Sequence, residues 1–278
     1  MSNVREYGLR IGDRDVLLLE GSAGWGEYSP LPGYSCDPAA ARAAAEEAAC
    51  CEWPAAVRAE VPVNALVSAP PVDPAALAGF PCVKVKVGGP GDLDLVAAVR
   101  DAVGPDVALR VDANGTWDVD TAVDALGRMA RYDVEFAEQP VASLDDLAKL
   151  RRRVDVPLAA DECVRSVDDA RRLAALDAAD AVVLKVQPLG GVRAAMAVAD
   201  AAGVPAIVTS MMETSVGLAA GLALAAALPE LPYACGFATV AALAGDVVRD
   251  SLIPVDGSLP VRRPVPDPEL LARYAVTS

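Results

Sequence analysis

This sequence predicts an α/β fold in which parallel strands close into a barrel with helices outside. Three observations predict it. From residue 61 onward, short apolar strand patterns alternate with helical patterns of about three turns, as in parallel sheets covered by helices. The unit recurs through about eight strands at about 25 residues per unit, and eight parallel strands close on themselves. No Gly-rich nucleotide turn follows the first strand, as an open doubly wound sheet would show. The expectation is a (β/α)8-type, TIM-like barrel, in its (β/α)7β form, over residues 61–251. A small α+β capping domain is expected over 1–60, with the tail 252–278 packing back on it.

In chain order, residues 1–35 read as short strands and turns, punctuated by Gly21, Gly24, Gly26, Pro30, Pro32 and Gly33. The Ala-rich stretch 39–51, with Glu46 and Glu47, reads as a helix ended near Pro54. Strands follow at 61–67, 83–87, 107–111, 134–137, 158–160, 181–186, 206–209 and 233–237. Helices fall between them at 93–103, 119–131, 144–154, 167–176, 192–202 and 216–228. The final tail is proline-rich.

Bulk composition removes several functions. The chain has 278 residues, is 54% hydrophobic and carries a net charge of −15. No basic patch supports nucleic-acid binding, and Arg151-Arg152-Arg153 reads as solvated surface. Residues 216–228 are too short to span a bilayer and read as a buried helix. The N-terminus, from Met1 to Glu6, lacks the apolar core of a signal peptide. The six cysteines form no CxxC pair and read as small core residues of a reduced, cytoplasmic protein. With no histidine in the chain, acid–base work falls to Lys, Asp, Glu, Tyr or Cys. The sequence assigns no oligomeric state.

Polar residues recur where the strands end. Lys86, Asp112, Glu138, Asp161, Lys185 and Ser210 succeed one another at about one βα unit apiece, so they ring the C-terminal mouth, where barrel enzymes keep their chemistry. Lys84 and Lys86 share one strand face, as do Arg110, Asp112 and Asn114. A lone Lys or Asp at a strand end is ordinarily a loop residue or a surface ion pair. Acids on three consecutive units with lysines on both sides are a stronger signal. Three carboxylates make a hard all-oxygen site that suits Mg²⁺, with Mn²⁺ as a substitute. The cation, the neighbouring ammonium groups and burial are expected to disfavour lysine protonation and leave a general base near neutral pH. Proton abstraction beside a carboxylate is the chemistry that needs these parts. Glu162 points to the other face or supports a lysine. Trp25 and Trp117 read as packing groups and Glu213 as a helix N-terminal residue. Tyr28 and Tyr34 are lid candidates without an assigned role.

These residues resemble the enolase superfamily, in its muconate-lactonizing subgroup. The match runs through Lys84-Val85-Lys86, Asp112, Glu138, Asp161 and Lys185. It extends to Gly24-Trp25-Gly26-Glu27-Tyr28-Ser29-Pro30, Arg110-Val111-Asp112-Ala113-Asn114-Gly115, Phe136-Ala137-Glu138-Gln139-Pro140 and Thr209-Ser210-Met211-Met212-Glu213-Thr214-Ser215. Within the subgroup, the stretches most resemble the dehydratases of menaquinone biosynthesis. The resemblance implies Lys86 as the base, Lys185 as a cation over the opposite face and Lys84 as support. It implies Asp112, Glu138 and Asp161 as metal ligands. Arg110, Asn114, Glu162, Ser210 and Met211 are implied as substrate-binding or supporting groups. The capping segment is shorter than the family's usual one. The implied partner is a small carboxylate substrate, with neither nucleic acid nor membrane. Racemisation of N-acylamino acids or dipeptides by the same two lysines is one alternative reading. A non-catalytic carboxylate-binding barrel is another.

Overall fold

The structure is a computed structural model and describes residues 4–276. Met1, Ser2 and Asn3, on which part of the leader reading rests, lie outside the described residues, as do the last two of the tail.

Three antiparallel strands come first, β1 (Arg5–Ile11), β2 (Arg14–Gly21) and β3 (Gly24–Tyr28). Helix α1 (Pro38–Cys50) packs on them through Ala41, Ala44, Ala45, Ala48 and Ala49. The approach is close enough that a Cβ on Gly26 would strike the backbone of Ala45. Only glycine allows that contact.

The strand expected over 61–67 is two. β4 (Glu60–Pro62) pairs antiparallel with β12 (Ser258–Pro260), and β5 (Ala65–Val67) opens the barrel. Then follow α2 (Pro74–Leu77), β6 (Cys82–Lys86), α3 (Asp92–Val103), β7 (Ala108–Asp112), α4 (Val119–Met129) and β8 (Val134–Glu138). After these come α5 (Leu144–Arg151), β9 (Leu158–Ala160), α6 (Val167–Leu176), β10 (Ala181–Leu184) and a short α7 (Val186–Leu189). The last units are α8 (Val192–Ala202), β11 (Ala206–Val208), α9 (Ser215–Ala227) and, beyond β12, α10 (Pro268–Tyr274).

Strands β5 to β11 form one parallel sheet of seven strands in consecutive order. The eighth position, expected as a strand over 233–237, is an extended crossing that bridges both edges rather than a ladder. Cys235 donates its N–H to Pro62 (2.7 Å) and accepts from Asn64 (2.9 Å), while Gly236 donates to Val208 (2.9 Å) and accepts from Ser210 (3.0 Å). A Cβ on Gly236 would lie 2.9 Å from Thr209 Cγ2, so the crossing is tight.

Serines and aspartates cap the barrel helices at α4 (Asp118), α5 (Ser143) and α6 (Ser166), each accepting from a first-turn N–H. α9 is buried almost all round, as its Ala/Leu/Gly sequence demands, and no helix among the described residues is long and apolar enough to cross a membrane. The tail returns to the first strands. Val276 donates to Gly8 (3.0 Å), and the Arg263 guanidinium reaches the carbonyls of Ala23, Ala48 and Cys51.

Candidate active site

A cavity of about 260 Å³ opens at the C-terminal mouth of the barrel. Lys84, Lys86, Asp112, Asn114, Glu138, Asp161, Glu162, Lys185, Ser210 and Met211 all line it. Parallel pairing explains the convergence, because Lys86 lies beside Asp112 and Asp112 beside Glu138 in register. Asp161 stands one residue beyond β9. Lys185 also stands just past its strand, where extended chain turns into α7, and not within a strand running to residue 186.

The charges pair across the mouth. Lys84 Nζ lies 2.8 Å from Glu138 Oε1 and 3.0 Å from Asp112 Oδ2. Lys86 Nζ donates to Asp112 Oδ2 and to Asn114 Oδ1, each at 2.7 Å. Asn114 Nδ2 in turn donates to Glu162 Oε1 at 2.9 Å. Glu162 is thus tied to Lys86 through Asn114. On the far side Lys185 pairs with both oxygens of Asp161 and donates to the Tyr34 hydroxyl at 3.2 Å. Its ammonium lies 4.7 Å from the centre of the Tyr34 ring, within cation–π range. Asn114, Gln139 and Met212 take left-handed φ values of 46°, 37° and 61° beside the site, where such strain commonly gathers.

Burial and pairing compete, and for Lys84 and Lys185 pairing prevails, against the expectation that they lose protons readily. Burial works against charge on Lys84, but Glu138 and Asp112 overcome it and hold its pKa above the usual lysine range. Burial likewise opposes charge on Lys185, and Asp161 overcomes it. Asp112 is buried, yet Lys84 and Lys86 press its pKa well below the carboxylate range. Glu138 goes the other way. Burial and then the Asp112 charge push it up to about 8, against the pull of Lys84.

Among the described residues, no three acids converge at ligating distance, because ammonium groups hold their oxygens. The donor set nonetheless fits a divalent cation. It is all oxygen, and Glu138 is buried among acids that resist its ionisation. Glu162 also keeps one buried carboxylate oxygen without a hydrogen-bond partner.

Arg110 is the exception among the candidates, for it does not line the cavity. It registers with Lys84, one layer below the mouth. Its guanidinium is spent on Glu135 (2.6 Å) and the Ala234 carbonyl (2.7 Å), and it stacks on Phe136 and Tyr233. The cysteines are also more varied than core residues. All six are free, but only Cys82 and Cys235 are buried and Cys51 is exposed.

Tyr34, a lid candidate, lines the cavity and Tyr28 does not; Leu31, Asn64, Thr209 and Thr239 also line it without having been singled out in the sequence. Leu31 and Tyr34 come from the capping segment. Their signal was position alone, in a Pro/Gly loop just after the Gly-Trp-Gly-Glu stretch.

Comparison with known proteins adds an independent line. Residues 72–266 match the family described as Enolase C-terminal domain-like, and 9–49 match Enolase N-terminal domain-like. The o-succinylbenzoate synthase of Thermobifida fusca is 54% identical over 260 residues, covering 90% of this chain and 82% of that protein. That of Mycolicibacterium smegmatis is 45% identical, covering 98% and 87%. Among solved structures, muconate lactonizing enzyme from Pseudomonas putida superposes with a TM-score of 0.83 over 99% of each chain at 22% identity, a likeness of fold.

Proposed function

The chain belongs to the o-succinylbenzoate synthase family of the enolase superfamily, and on that premise we propose how its residues carry out the reaction. It is a carbon–oxygen lyase that dehydrates 2-succinyl-6-hydroxy-2,4-cyclohexadiene-1-carboxylate to 2-succinylbenzoate, a step of menaquinone biosynthesis. The family names support dehydration over racemisation and over non-catalytic binding.

Lys86 is the base. Its neutral amine removes the proton α to the substrate carboxylate, and the C–H electron pair moves into that carboxylate. The pair then returns to the ring and expels the hydroxyl on the adjacent carbon. The Lys86 ammonium protonates that hydroxyl on the same face, so water leaves and an aromatic ring remains. One residue is thus base and then acid. Lys185 faces the developing anion as a fixed cation, and Lys84 balances Asp112 and Glu138. Asn114 holds Lys86 in place. The observation that carries this reading is the placement of Lys86 and Lys185 in one cavity with the carboxylates between them.

The superfamily is divalent-metal dependent. The cation would be Mg²⁺, with Mn²⁺ as a substitute, and Asp112, Glu138 and Asp161 would hold it. When bound, it supplies positive charge to the substrate carboxylate as that group gains electrons. The chain divides into a cap (1–60 with 252–278) and a catalytic barrel (61–251), which the contacts of Arg263 with Ala23, Ala48 and Cys51 and of Val276 with Gly8 support. Free thiols fit a reducing, cytoplasmic setting.

Purified protein given substrate and Mg²⁺ should abolish the cyclohexadiene absorbance and yield 2-succinylbenzoate, and a chelator should stop it. A folded, metal-loaded protein with no turnover would sink the proposal.

A further inference from the structure

We infer that Glu27 is a positioning residue for substrate recognition, tying together two loops that line the cavity. The kinetic part of this inference rests on the dehydratase reading.

Glu27 lies on β3 of the cap and is 3% exposed. Its Oε1 accepts from Ser29 Oγ (2.6 Å) and the Thr214 N–H (3.2 Å). Its Oε2 accepts from Thr214 Oγ1 and the Gly217 N–H (3.0 Å). Thr214 is the N-cap of α9, so a carboxylate from the cap satisfies N–H groups that the barrel helix leaves free. The fit requires Gly217, where a Cβ would lie 3.0 Å from Glu27 Cδ and 2.6 Å from Glu213 Cβ.

The network then closes. Gln187 accepts from the Ser29 N–H (3.0 Å) and donates to Glu213 (3.1 Å), and Glu213 accepts from the Met211 N–H. Glu27, Ser29, Gln187, Met211, Glu213 and Thr214 are all buried.

Ser29 begins the loop that carries Leu31 and Tyr34, the cap's two residues in the cavity wall. Thr214 ends the loop that carries Ser210, Met211 and Met212, which also line the cavity. No catalytic lysine or metal-site carboxylate lies on either loop. Loosening Glu27 therefore shifts the recognition walls, while Lys86 stays held by Asp112 and Asn114 and Lys185 by Asp161, the Tyr34 hydroxyl being the polar link between the cap loop and the Lys185–Asp161 pair.

Glu47 is the natural control. It too comes from the cap and caps a barrel helix, accepting from the Val192 N–H (2.6 Å) at the start of α8. Its side-chain hydrogen bonds go to Val192 and Arg193, neither of which lines the cavity.

The test compares Glu27→Gln, Gly217→Ala and Glu47→Gln. Folded Glu27→Gln and Gly217→Ala should raise KM about tenfold while kcat stays within about threefold, since uniform binding is what is lost. Glu47→Gln should lower the melting temperature with KM unchanged. Amide hydrogen exchange should rise together in 29–34 and 210–217 for Glu27→Gln, and in neither for Glu47→Gln. An unchanged KM in folded Glu27→Gln, or a rise in exchange confined to one loop, overturns the inference. If the wild type shows no turnover, the dehydratase reading falls and the exchange comparison still decides the positioning role.

Discussion

Lys84 and Lys86 share one strand face, yet they end in different surroundings. Lys84 is 9% exposed and locked between Asp112 and Glu138, while Lys86 reaches the mouth and meets Asn114. Alternation along the sequence shows which face a residue takes and not how deep it lies. That is why Lys86, Asp112 and Lys185 were legible as mouth residues while Arg110, on the same face as Asp112, is a floor residue. Arg110→Met should therefore cost about 2–3 kcal/mol of stability by leaving Glu135 and the buried Ala234 carbonyl without their donor. Its kcat/KM should stay within about threefold, read by urea denaturation and steady-state kinetics. Asn114 gives the opposite expectation. Asn114→Ala frees Lys86 on one side, and kcat should fall about 10–100-fold with KM little changed, because the base is no longer held in reacting geometry. The protonation state of Lys84 and Lys185 was not legible, since it depends on which partner wins. Only the folded chain shows that Asp161 and Glu138 outweigh burial.

At the scale of elements, strand–helix alternation was readable because β-branched runs and capped amphipathic stretches differ in period. The misses fall where a backbone partner decides. Residues 61–67 carry one apolar pattern but serve two sheets, because β12 draws off β4 while β5 joins the barrel. The crossing at 233–237 bridges both edges by only a few hydrogen bonds, so its pattern overstates a strand. Helix starts are the most local signals. Ser166 accepts from the Asp169 N–H at 3.1 Å. Ser166→Ala should cost about 1 kcal/mol, seen as a lower denaturation midpoint, with kcat and KM unaltered.

At the scale of the whole molecule, the cap meets the barrel through buried acids, and this gives stability a pH signature. Burial pushes Glu27 up to about 7 from 4.5, with Glu213 adding repulsion, while Ser29 and Thr214 pull it down. Glu213 is itself raised by burial, with Arg14 opposing. The folded state therefore binds more protons than the unfolded state between about pH 4.5 and 7. The Glu27 contribution is fully present at the low end of that window and is lost as pH rises through it. Urea midpoints at pH 5 and 7.5 should show the wild type losing more stability than Glu27→Gln over that interval. A larger loss in the variant would contradict it. What the cap and barrel together enclose is the proposed base, so the central claim reduces to Lys86. The dehydration rate of folded, Mg²⁺-loaded Lys86→Ala is the most direct measurement. A fall of about 10³-fold or more in kcat is predicted, because one group serves as both base and acid. A rate within about tenfold of wild type would contradict the account.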